Sequence, residues 1–132
     1  MRKNNKNMKF AKYLFLFAGI SGLIMLVPQY FLEEKTGRDF PPAITHPEHF
    51  YGFIGVAIAC QVMFLIISRN PVRYRAMMIP AMLEKFSFAI AVAILFLQNR
   101  VAAVMFGLGM MDLALGLLFT LAFFKTPKQE LV

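Results

Sequence analysis

Glu84 and Lys85 stand side by side inside AMLEKFSFAIAVAILFLQ, an apolar run long enough to cross a membrane. An ionisable side chain in hydrocarbon is costly, so it marks a functional site by default and calls for a partner. Asp112, within another apolar run, supplies the opposite charge. Pairing Lys85 with Asp112 relieves the cost of burying either one. Glu84 is then left as a carboxyl in a poor solvent, suited to handling a proton or meeting the polar group of a ligand. Gln61 adds a polar side chain at a similar depth, as does Ser21. Glu84, Lys85, Asp112 and Gln61 therefore form the candidate ligand-binding or intramembrane polar cluster. The competing reading is a structural ion pair that glues the helices, with Glu84 solvated at the membrane surface. A subunit interface is a third use of the same residues.

A second constellation is THPEHFYGF. Thr45 and Glu48 have the spacing of a capping box, and Pro47 suits a first helical turn. His46 and His49, three apart, share one helical face and are able to hold a metal together with Glu48 or Asp39. Helix initiation already accounts for His46, Glu48 and His49 as outer-loop residues, so neither a metal nor another cofactor is expected. No phosphate-binding glycine loop, serine nucleophile elbow or zinc-protease helix occurs, and no catalytic residue is assigned.

The elements that position these groups follow from composition. The 132 residues are 59% hydrophobic and 16% charged, where a soluble domain is about a quarter charged. No water-facing surface could absorb that excess, so the bilayer must be the solvent. Hydropathy predicts four spans, at about 10–32, 50–67, 77–98 and 101–124, each close to the roughly 20 apolar residues that cross a hydrocarbon core. The expected fold is all-α, a single integral membrane domain built as an antiparallel bundle of four transmembrane helices. The connector between the last two spans is so short that they must be adjacent hairpin partners. The basic, apolar start resembles a signal peptide but lacks a small-residue cleavage site, so retention of the segment is expected.

Two starts are open for the third span. If it begins at Tyr74, Glu84 is about 15 Å deep. If Pro80 is in its first turn, Glu84 is only about one turn inside and Lys85 is free to snorkel to the surface. Gly109, Asp112 and Gly116 share one side of the fourth span, and small residues let another helix approach closely. Ala81, Glu84, Ser87 and Ala91 predict a similar stripe on the third.

Orientation is carried by cations. Arg2, Lys3, Lys6, Lys9, Lys12, Arg69, Arg73, Arg75, Lys125 and Lys128 fall on one side, and only Lys35, Arg38 and Arg100 on the other. The positive-inside rule then predicts that both termini are cytoplasmic. The net charge of +7 is thereby explained by topology and anionic headgroups, which excludes nucleic acid as the expected partner. Membrane lipids, an apolar small molecule, a second copy or a membrane complex are the partners this composition favours. Cys60 is the single cysteine, so no intrachain disulfide forms.

HPEHFYGFIGVA, NPVRYR, PAMLEK and DLALGLLF together resemble a group of small bacterial membrane proteins with four helices, DoxX-like in outline. The resemblance spans about residues 45–126, implies an inner membrane location, and includes His46, His49, Arg75, Glu84 and Asp112 in its segments. It implies no chemistry. The expected function is that of a small integral membrane protein that binds an apolar molecule or lipid, or serves as an accessory subunit. The alternative is an acid/base enzyme, isomerase-like, using Glu84 and Asp112.

Overall fold

The computed structural model describes residues 2–128, with side chains from residue 5 onward. Arg2 and Lys3, counted above among the basic residues, thus have side chains outside the described set. Among the described residues there is no strand. The helices are α1 (Arg2–Leu26), α2 (Glu33–Asp39), α3 (Pro47–Arg69), α4 (Met78–Leu97) and α5 (Ala103–Lys125). α1, α3, α4 and α5, the first and third with short 3-10 extensions, are long and apolar enough to cross a membrane. The chain is an all-α, four-helix, multi-pass membrane protein. The start of α1 and the end of α5 lie at one end of the bundle, called here the terminal end, and the α1–α3 and α4–α5 connections lie at the far end.

Two details depart from expectation. α1 begins well before residue 10 and gives way at Val27 to a 3-10 turn, Val27–Phe31, because Pro28 lacks the amide that a continuing α-helix needs. The segment between the first two expected spans contains the short helix α2. Its acidic start, Glu33 and Glu34, and its basic residue Arg38 in the last turn complement the helix dipole. Lys35 pairs with Asp39 one turn on, and its hydrogen bond holds the Asp39 carboxyl below the usual carboxylate range. Tyr51 of α3 donates to Glu33 Oε2 at 2.7 Å, which ties α2 to the bundle.

The four spans pack as two antiparallel pairs, α1 with α3 and α4 with α5. Glycines set the close approaches. A Cβ on Gly19 would lie 2.7 Å from a Leu65 methyl, and one on Gly22 would be driven into the Gln61 amide. On the other pair, a Cβ on Gly109 would meet Val92 at 2.8 Å and one on Gly116 the Phe86 ring at 3.0 Å. The expected small-residue face of α5 is therefore the α4 contact. In lipid, where packing rather than the hydrophobic effect joins helices, such contacts carry the association.

Three rings join the pairs. Phe15 of α1 stacks on Phe119 of α5 with centroids 4.2 Å apart, and Phe64 of α3 meets Phe119 edge-on at 5.1 Å. All three are fully buried, packed with Ala11, Ala18, Ile67, Met78, Ala81 and Ala122. Small residues around large rings let four helices converge on this layer, which lies toward the terminal end. Large apolar side chains such as Phe17, Val56, Leu83 and Leu117 point outward, as a lipid-facing surface requires.

The α4–α5 hairpin closes through a Schellman motif. Asn99 takes a left-handed conformation (φ 56°), with its amide donating to Phe96 O and the Arg100 amide to Leu95 O, both at 2.9 Å. Asparagine is the non-glycine residue that tolerates this conformation best. The tight turn fixes the register of the two helices that carry the charges.

Candidate functional site: an ion cluster within the spans

α4 starts at Met78 after a 3-10 turn, Arg75–Met77, which is the second of the two starts the sequence left open. Pro80 sits inside the first turn, where its missing amide is harmless. Glu84 and Lys85 are then about 9 and 10 Å along α4, and Asp112 about 14 Å along α5 from the far end.

Lys85 is the hub. Its Nζ is 3.0 Å from Asp112 Oδ1 and 3.2 Å from Glu84 Oε2. The expected Lys85–Asp112 pair is thus present, and Glu84 joins it. The ammonium also lies 5.5 Å from the centroid of the Phe64 ring, whose negative face favours a cation. Lys85 donates to Glu84 Oε1 at 3.5 Å, while the buried Oε2 has the ion-pair contact with the ammonium and accepts no directed hydrogen bond among the described residues. One ammonium therefore serves two carboxylates, and one buried oxygen retains unused acceptor capacity.

The faces differ from expectation. The buried side of α4 is Met78, Ala81, Lys85, Ala89 and Val92, at helical spacings of three and four. Lys85, not Glu84, is therefore on the inward stripe, only 6% exposed. Glu84 flanks it, while Ser87 and Ala91 are exposed. Ser87 donates to the Glu84 carbonyl one turn back and takes no part in the cluster. The expected stripe of Ala81, Glu84, Ser87 and Ala91 is corrected accordingly: Ala81 and Ala89 flank Lys85, and Glu84 reaches the cluster from the side of that stripe.

The direction taken by Lys85 is equally definite. Met82 Sδ accepts from Thr120 Oγ1 at 3.3 Å, Phe86 packs on Gly116 and Val92 on Gly109, so Lys85 stands level with about residue 116 of α5. Asp112 lies about one turn nearer the far end, roughly 6 Å by helical rise. Lys85 thus extends away from the terminal end and does not snorkel toward it.

Gln61 and Ser21 stay apart from this cluster. The Gln61 amide, 2% exposed, donates to Ala57 O at 3.0 Å and abuts Gly22 in the α1–α3 seam. Ser21 donates to Phe17 O at 2.7 Å on its own helix. Equal depth did not mean proximity, because the two residues sit in the other helix pair.

At the far end, α3 begins at Pro47 with His46 as its N-cap residue. The Thr45–Glu48 capping box does not form, since no side chain caps this helix. Glu48 turns to the histidines: its Oε1 is 3.0 Å from His46 Nδ1 and 3.9 Å from His49 Nε2. Asp39, considered above as an alternative partner, is engaged by Lys35. Cys60 and Phe64 are 13 and 17 residues along α3 from Pro47, or about 20 to 25 Å, so the histidines and the ion cluster are separate.

Arg75 has a role that counting cations did not reveal. Its Nε donates to Phe123 O at 3.1 Å and Thr126 O at 2.9 Å, and its guanidinium lies 3.8 Å from the Phe123 ring centroid. It satisfies carbonyls at the C-terminus of α5 where a cation is also favoured by the helix dipole. An arginine-rich turn that opens with Asn70 and Pro71 was the signal in the sequence.

No family model, curated protein or solved structure matches this chain. Its functional reading rests on its own geometry.

Proposed function

We propose that this chain is a non-enzymatic protein of the bacterial inner membrane, with cytoplasmic termini, that binds an apolar molecule or lipid bearing a hydrogen-bond donor. It acts alone or as an accessory subunit of a membrane complex. The single observation that supports this reading is the Glu84–Lys85–Asp112 cluster, in which one buried Glu84 oxygen has no hydrogen bond. A carboxylate in that position is costly unless a donor completes it, and a hydroxyl on an otherwise apolar ligand would do so without adding charge. The resemblance of the HPEHFYGF, NPVRYR and PAMLEK segments to small bacterial four-helix proteins, DoxX-like in outline, belongs to the same proposal.

An acid/base enzyme is the second reading, favoured by the convergence of two carboxylates on one amine. It ranks lower because the histidines stand far from that point and do not converge with the carboxylates on one site.

Native mass spectrometry in a mild detergent tests the proposal. The expected result is a retained apolar molecule or lipid whose occupancy falls in Glu84→Gln. A bare chain, or a bound molecule equally retained by Glu84→Gln, would overturn it.

A further inference from the structure

We propose that His46, Glu48 and His49 form a site for a divalent transition-metal ion on the far-end rim of α3. Their donor atoms all lie within 4.8 Å of one another. Around a tetrahedral ion bonded to nitrogen and oxygen at about 2.0–2.2 Å, donors stand about 3.3–3.5 Å apart. His46 Nδ1 and Glu48 Oε1, at 3.0 Å, are already near that spacing, and His49 Nε2 is 3.9 Å from the same oxygen. Closing the set takes side-chain shifts of about 1 Å. All three residues are exposed and have room to make them.

The backbone under the site is fixed. His46 O accepts from the amides of His49 at 3.1 Å and Phe50 at 3.3 Å, which locks the two histidines onto one face of the first turn. Pro47 restricts the same turn further. The explanation that made a metal unnecessary was helix capping, and neither Thr45 nor Glu48 caps α3. The carboxylate is spent on the imidazoles instead. It also offsets the positive end of the α3 dipole, which by itself opposes a cation at this place.

The donor set chooses the metal. Two imidazoles and one carboxylate, with no thiolate, suit zinc, copper or nickel, whereas magnesium and calcium prefer all-oxygen sites. Three protein donors leave a fourth position for water or for a donor from another molecule. The site is independent of the Glu84–Lys85–Asp112 cluster, which is about 20 Å or more along the bundle.

The test is calorimetric titration of the purified, metal-stripped full chain in detergent with zinc chloride. One zinc ion per chain at micromolar affinity or tighter is expected, weakened about tenfold or more in each of His46→Ala, His49→Ala and Glu48→Gln. Thr45→Ala should bind as the parent does, and excess magnesium should not compete. Circular dichroism of each variant should match the parent, because the altered side chains are exposed. Absence of binding, or equal binding by the His46→Ala/His49→Ala double variant, would show adventitious zinc only and overturn the site.

Discussion

Lys85 meets Asp112 at 3.0 Å by reaching about one turn along the bundle toward the far end, away from the nearer membrane surface. A lysine that could shed its burial cost by turning the other way is held instead by a carboxylate. Removing Lys85 strands both Asp112 and Glu84, at a cost of about 3 to 5 kcal/mol for a buried pair, whereas removing Asp112 leaves Lys85 paired with Glu84 at 3.2 Å. Lys85→Met should therefore lower the thermal midpoint in detergent by more than Asp112→Asn does, and adding Asp112→Asn to Lys85→Met, which relieves one of the two stranded carboxylates, should lower it no further. Additive losses would show that the two residues act separately. Glu84→Gln, which removes the surplus charge and keeps the shape, should leave the midpoint unchanged or raised.

Arg75 should be needed for the end of α5. Losing charge-assisted bonds to two carbonyls costs about 1.5 to 3 kcal/mol each at most, and lysine does not reproduce the planar donor. Arg75→Ala and Arg75→Lys should both speed hydrogen exchange at the Thr126 amide, which donates to Ala122 O at 2.9 Å. Exchange unchanged in Arg75→Ala would mean that the α5 terminus holds without it.

Asn99 reports on the hairpin. Asn99→Gly should be neutral or stabilise by up to about 1 kcal/mol, whereas Asn99→Val should destabilise by about 1 to 2 kcal/mol because a branched Cβ is strained at positive φ. Chemical unfolding in mixed micelles measures both. A tolerated valine would place the turn in another conformation.

Topology is open to a direct assay. Alkaline phosphatase fused after Glu34 should be active, and fused after Arg73 silent, if the termini are cytoplasmic. The reverse pattern would invert the orientation.

Span number, hairpin pairing and the Lys85–Asp112 contact were legible because hydropathy, a short connector and charge complementarity act locally. The Gly109 and Gly116 face was legible for the same reason, since helical spacing alone places both on one side. The inward side of α4 was not: Ala81 and Ala89 fit a stripe with Lys85 as well as Ala81 and Ala91 do with Glu84, and only the neighbouring helices decide. Gly22 and Gln61 were equally hidden, because their meeting depends on the register of α1 against α3 across a long connector. Thr45 and Glu48 had the right spacing for a cap, yet His46 competes for the same carboxylate and wins.

The Schellman turn at Asn99 bears on how this chain enters a membrane. Lys85 and both of its carboxylate neighbours, Glu84 and Asp112, lie on the single hairpin that this turn closes. Neither α1 nor α3 supplies a counter-charge, so α4 and α5 are able to neutralise the ammonium between themselves once their own turn is made. A lone lysine at the centre of a span costs about 2.5 to 3.5 kcal/mol to insert, and so does a lone aspartate. A hairpin that inserts as one unit carries its counterion along, and the most expensive residues of the chain travel together.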